Sequence, residues 1–170
     1  MTWGIPTPAF LTLHVVLSLI GIATGLMVVF GMLTRRRLAG WTAAFLLTTT
    51  LTSVTGFPLA PFGFDPPRAI GVISLVLLAA AIGALYIFHL SGAWRWIYIG
   101  TAVAALYLNM FVAVVQAFQK ISFLQALAAT QSEYPFLLAQ VVVLAALVVL
   151  GILAVLRFHP AGASLGSRRA

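Results

Sequence analysis

Three histidines, a dense run of hydroxyls and three amides set in apolar sequence are the side chains of this 170-residue chain best placed to do chemistry. A six-coordinate haem b iron needs two imidazoles at similar depth on facing helices, or one imidazole with a methionine. His14 lies early in the first apolar run, His89 closes the third, and His159 falls beyond the last. The first and third runs point the same way, so at 1.5 Å per residue the His14 and His89 rings stand roughly 20 Å apart along the helix axes, too far for one iron. His89 also continues a helical stripe with Leu78, Ile82, Leu85 and Tyr86, which reads as an interfacial position. Haem b held by His14 with a methionine, or by His14 from two copies of the chain, is the cofactor reading left standing.

The hydroxyls cluster in residues 46–57, LLTTTLTSVTGF, with five threonines and one serine between Thr48 and Thr55. At 100° per residue Thr48, Thr49, Thr52, Ser53, Thr55 and Gly56 share one sector of a helix, and Leu47, Leu51 and Val54 lie opposite. Two readings fit. In lipid such hydroxyls bond back to carbonyls one turn earlier and let neighbouring helices approach closely. The same face can instead wall a polar cavity. Other runs carry similar stripes: His14, Ser18, Gly21 and Gly25 in the first, and Ala102, Ala105, Asn109, Ala113, Gln116 and Lys120 in the fourth, while Gln140 lies near the start of the fifth. Polar side chains facing lipid are costly, so they turn inward. His14, Ser18, Ser53, Thr55, Asn109, Gln116 and Gln140 are therefore the candidate ligand-binding set.

Conventional catalytic patterns are missing. The sequence has no HExxH, no phosphate-cradling glycine loop, no cysteine, and only two acids, Asp65 and Glu133, both in loops before helix starts where capping accounts for them. No nucleophile and base pair up for hydrolysis. No span carries a mid-depth acid or base and no inverted repeat is visible, which argues against an ion-coupled transporter.

The elements that must hold these residues follow from composition. The chain is 63% hydrophobic and 6% charged, with a mean hydropathy of +1.16. That composition describes a multi-pass membrane protein. Five runs, 8–33, 41–59, 69–90, 96–118 and 135–157, are each near the ~20 residues needed to cross ~30 Å of hydrocarbon. They predict a single all-α domain over 1–159, a five-helix transmembrane bundle, followed by a flexible tail over 160–170. The net charge of +7 sits at the ends of these runs and not in a patch with interleaved aromatics, so nucleic acid is excluded as a partner. Arg35, Arg36, Arg37, Arg95, Arg157, Arg168 and Arg169 fall on one side, and Arg68 and Lys120 on the other. The positive-inside rule then puts the N-terminus outside and the C-terminus in the cytoplasm. The first run has no basic flank before it and TRRR after it, which reads as a retained helix. Trp3, Trp41, Trp94 and Trp96 mark span ends. Thr7-Pro8, Asp65-Pro66 and Glu133-Tyr134-Pro135 place capping side chains before helix starts. Residues 120–131, with Ile121, Leu124, Leu127 and Ala128 at helical spacing, predict a short helix along the outer interface.

LTLHVV early in the first span, TRRRLAGW after it, TSVTGF closing the second and GAWRWIYI opening the fourth resemble small bacterial inner-membrane proteins whose domains have no assigned function. The resemblance implies a bacterial cytoplasmic membrane and no activity. The sequence therefore predicts a protein that binds rather than catalyses: an outward-facing polar pocket for a lipid, a quinone or another small hydrophobic molecule, or an accessory subunit of a membrane complex. A haem-bearing electron-transfer subunit and a small transporter or channel are the alternatives. Partners follow from that setting: the lipid bilayer, with other membrane subunits or a second copy of the chain as candidates.

The orientation is testable by labelling. Cysteine at Gly63 should react with a membrane-impermeant maleimide added to intact cells, and cysteine at Ser167 should not. Equal labelling of the two overturns it.

Overall fold

The computed structural model describes residues 1–59 and 66–159, and all regular elements among them are helical. The Asp65 cap and the tail 160–170 lie outside the described residues. The described residues form five long helices, α1 (Thr7–Leu33), α2 (Ala39–Gly56), α3 (Pro66–Ile82), α4 (Trp94–Lys120) and α6 (Tyr134–Arg157), and α5 (Ser122–Leu127) is the short helix expected after α4. α1, α3 with the turn that follows it, α4 and α6 are each long and apolar enough to cross a membrane. α2 is set apart by its hydroxyls. It is only 18 residues long, and the threonines that fill its second half lower its hydropathy.

α1 packs on α2, α2 on α3, α3 on α4, and α4 back on α1, which closes a ring of four helices. α6 lies outside the ring, against α4 and α1. Because turns of a few residues join α1 to α2 and α3 to α4, neighbours run antiparallel, and Arg35–Arg37, Arg95 and Arg157 collect at one end while Arg68 and Lys120 occupy the other.

At the basic end the interior is solid. Val28, Val29 and Met32 of α1 meet Phe45 and Leu46 of α2, Leu78, Ala81, Ala84 and Leu85 from α3 and its terminal turn, and Tyr98 to Leu106 of α4, with Leu147 and Ala154 of α6 behind. Between helices that cross a membrane, such contacts would stabilise through close packing more than through removal from water. Glycines set how close. A Cβ on Gly25 would lie 2.7 Å from Leu106 Cδ1 and 2.9 Å from the Phe45 ring, and one on Gly21 would lie 2.9 Å from Thr49 Oγ1 and 3.0 Å from Asn109 Nδ2. The GxxxG of α1 is thus used within the chain, against α2 and α4 together.

The ends of the helices depart from the capping expected. Thr7 is inside the first turn of α1 and Pro6 precedes it, so Thr7 caps nothing. At the other end Arg35 adopts a left-handed conformation (φ 61°), and the Arg36 N–H closes on Gly31 O at 2.8 Å. α3 does not run straight to residue 90. It widens into a π-helical turn over Gly83–Ile87, in which the Phe88 N–H reaches Gly83 O (3.0 Å) and the Leu90 N–H reaches Ala84 O (2.9 Å). His89 therefore leaves the helical stripe predicted for it and sits exposed in the turn, while Leu90 drops into the core. Where α6 begins, Glu133 is the residue before the helix, yet its carboxylate turns back to accept from the Thr130 N–H (3.1 Å), the Thr130 hydroxyl (2.9 Å) and the Ser132 N–H (3.1 Å). It closes the α5–α6 loop instead of capping α6. Beneath that loop Phe118 and Phe136 meet edge to face at 5.4 Å, with Ala128 buried beside them.

Two outcomes follow from this packing. Gly25→Ala should destabilise the bundle by about 1–3 kcal/mol, since Leu106 and Phe45 are fully enclosed and cannot retreat. Gly40→Ala, which meets nothing within 4 Å, should be neutral or mildly stabilising in detergent unfolding. The hydrogen bond from the Thr130 N–H, helped by the Thr130 hydroxyl and the Ser132 N–H, holds the Glu133 carboxyl below its usual value of 4.5. A lowered carboxylate pKa stabilises the loop above that value and loses the effect as pH falls through the folded pKa. In amide exchange, Glu133→Gln should deprotect Thr130 and Ser132 at neutral pH and match the wild type well below pH 4.5.

Candidate ligand cavity

Where the basic end is solid, the opposite end is hollow. A cavity of about 460 Å³ lies between α1, α2, α3 and α4. Its polar wall is built from His14 and Ser18 of α1, Thr49, Thr52 and Ser53 of α2, Arg68 and Ser74 of α3, and Asn109, Gln116 and Gln119 of α4; Val15, Leu19, Phe57, Ile70, Leu108 and Val112 complete it. The lining reaches Leu59, Pro67, Arg68 and Gln119 at the helix ends, and Asn109 and Thr49 form its floor above the packed half.

Each polar group has a traceable reason for its position. Asn109 and Ser18 clasp each other across α4 and α1: the Ser18 hydroxyl donates to Asn109 Oδ1 at 2.7 Å, and Asn109 Nδ2 donates to Ser18 O at 3.3 Å. Only Gly21, one turn further along α1, leaves room for that amide. His14 Nδ1 lies 2.9 Å from Thr55 Oγ1, which ties the first helix to the second. Arg68, in the first turn of α3, bonds Phe57 O (3.3 Å) and Leu59 O (2.5 Å) and so satisfies carbonyls just past the end of α2.

The threonines of α2 divide by role. Thr48, Thr50, Thr52, Ser53 and Thr55 all donate to the carbonyl four residues earlier, at 2.7 to 3.0 Å. Their hydrogens are spent within the helix, and what they present outward is an oxygen lone pair. Thr49 is the exception: it is 2% exposed, and its Oγ1 has no hydrogen-bond partner. A buried hydroxyl left unpaired costs about 1–3 kcal/mol. The opposite face of α2 behaves as its stripe predicts, with Leu47, Leu51 and Val54 exposed on the bundle surface.

Of the residues expected to form a pocket, His14, Ser18, Ser53, Asn109 and Gln116 lie on the cavity wall, and Thr55 lies just behind it, joined to His14. Gln140 is not brought to them. On α6, outside the ring, its Nε2 donates to Phe111 O at 3.2 Å while its Oε1 is buried without a partner. Depth along the bundle agreed, but depth does not say which helices enclose a space. Arg68 is absent from the expected set, where it counts only as a topology charge; the proline pair at 66–67 that opens α3 puts it in the first turn of that helix, on the cavity wall. For haem the wall supplies one imidazole: the described lining residues include no second histidine and no methionine. No cluster of three or more metal-ligating side chains occurs among the described residues.

No protein-family model, no curated protein and no solved structure matches this chain.

Proposed function

We propose that this is an integral membrane protein whose five long helices all cross the bilayer, N-terminus outside and C-terminus in the cytoplasm, and whose cavity binds a small amphiphile such as a lipid or quinone entering from the outer side. The bacterial cytoplasmic membrane rests on the resemblance of its span-end sequences. The orientation is supported by the gathering of Arg35–Arg37, Arg95 and Arg157 at one end of the bundle. With the hydrogens of Thr48, Thr50, Thr52, Ser53 and Thr55 bonded within the helix, α2 can cross despite its composition, because each of these five hydroxyls replaces a bond to water with one to its own helix.

The observation that carries the ligand reading is the convergence of polar side chains from four helices on one 460 Å³ space whose remaining wall is apolar. Packing alone does not call for polar side chains around a space: the one of about 400 Å³ between α4 and α6 is walled almost wholly by apolar residues. Mixed lining of this kind suits a molecule with a polar head and a hydrocarbon body.

The test is extraction. Protein purified in mild detergent should release a bound amphiphile to organic solvent. Ala113→Phe, which fills the cavity from α4, should lower the recovered amount about tenfold, equivalent to ~1.4 kcal/mol, without loss of helix content. Leu138→Phe, on the exposed face of α6, should not change it. Equal recovery from all three proteins overturns the binding reading.

A further inference from the structure

The hydrogen atoms around His14 can be assigned from the bonds that surround it. The Thr55 hydroxyl has one hydrogen, directed at Leu51 O at 2.7 Å, with Thr52 O a longer second acceptor at 3.2 Å. With that hydrogen assigned to Leu51 O, the shortest of its contacts, Thr55 Oγ1 accepts from His14 Nδ1, 2.9 Å away. On that assignment Nδ1 carries the proton. No carboxylate is among the described lining residues to pair with an imidazolium, and Arg68 lines the same space, so the ring is neutral and its other nitrogen, Nε2, is a bare lone pair. Nε2 has no protein partner among the described residues. It is also not among the fully enclosed unpaired atoms, and His14 is one of the residues that line the cavity.

From this we infer that the head group taken by the cavity is a neutral hydroxyl, as in a phenol, a hydroquinone or a long-chain alcohol, which donates its hydrogen to His14 Nε2. This rests on the binding reading above and narrows it. A ketone, an ester or the oxidised quinone would face Nε2 lone pair to lone pair, and a deprotonated acid would do so with a charge. An ammonium head would find no carboxylate among the described lining residues. A hydroxyl also accepts. Gln116, on the same wall and without a hydrogen-bond partner among the described residues, has an N–H to offer it. Thr55 is thus a positioning residue: by using its own hydrogen on Leu51 it fixes which nitrogen of His14 is basic.

The experiment uses the full chain in dodecyl maltoside with ¹⁵N-histidine, the His14 signals being assigned by their loss in His14→Phe. The free protein should show a protonated Nδ1 and a bare Nε2. Titration with 4-nonylphenol should move the Nε2 signal, and the phenol should bind about three- to tenfold tighter than its methyl ether, the range expected for one net hydrogen bond. Thr55→Val should abolish the tautomer preference and reduce that ratio toward one. A protonated Nε2 in the wild type overturns the inference without recourse to any variant, as does equal binding of phenol and ether. If neither probe binds but Ala113→Phe still depletes an extracted amphiphile, the hydroxyl inference fails and the binding reading stands. If neither probe binds and Ala113→Phe depletes nothing, both fail.

Discussion

The whole arrangement hinges on one crossing, where α1 passes α2 and α4 at Gly21. With a hydrogen in place of a side chain, Thr49 Oγ1 and Asn109 Nδ2 approach to about 3 Å of where a Cβ would stand. That approach lets Asn109 bond both the hydroxyl and the carbonyl of Ser18, and these two bonds hold α4 to α1 at the level where the interior changes character. Toward the basic end, Gly25 continues the close contact and the helices meet through Phe45, Leu106 and Val28. Toward the other end no glycine of α1 follows, the helices bear bulkier partners, and the space between them opens. One helix turn separates a solid core from a cavity.

The threonine run is explained by the same geometry. A helix that presents polar oxygens to an interior space without leaving unpaired donors needs hydroxyls whose hydrogens can be bonded locally. Threonine does this by bonding the carbonyl four residues back, and five residues of α2 do so. Serine and threonine in this state act as acceptors, and the tautomer proposed above for His14, with its proton on Nδ1, follows from that. The one hydroxyl that is not silenced, Thr49, lies at the crossing, where Gly21 and Asn109 crowd it. Close approach there outweighs the cost of an unpaired oxygen.

Much of this was legible in residue spacing. The apolar runs located all five long helices to within a few residues, and the stripes on α1 and α4 brought Ser18 and Asn109 to facing surfaces. What spacing could not supply was the arrangement of helices around the space. Gln140 has the right depth and the right chemistry, yet α6 stands outside the ring, and no periodicity within α6 encodes that. Arg68 falls just before the apolar run that begins at 69, whereas α3 begins at Pro66, and those three residues put its side chain in the first helical turn and on the wall. The π-helical turn after Ile82 was equally invisible. A wide turn and a regular one have the same composition, and only the burial of Leu90 against the core distinguishes them.

Several groups on the cavity wall are already held by something other than a ligand. Ser18 and Asn109 hold each other, Thr55 fixes the His14 ring, and Arg68 is bound to the backbone beyond α2. At the far end Arg95 holds the last turn of α6 in the same way, donating to Phe158 O at 2.7 Å. Carbonyls at helix ends in or near hydrocarbon cost several kcal/mol if left unpaired, so both arginines are committed to the fold before any ligand arrives. A wall of this kind loses little side-chain freedom on binding, and the entropic cost that weakens most small polar sites is largely met during folding. The cavity wall is thus held in place by the bonds that close the bundle, and the polar atoms those bonds leave over, Nε2 of His14 and the amides of Gln116 and Gln119, are the ones on which the proposed binding would depend.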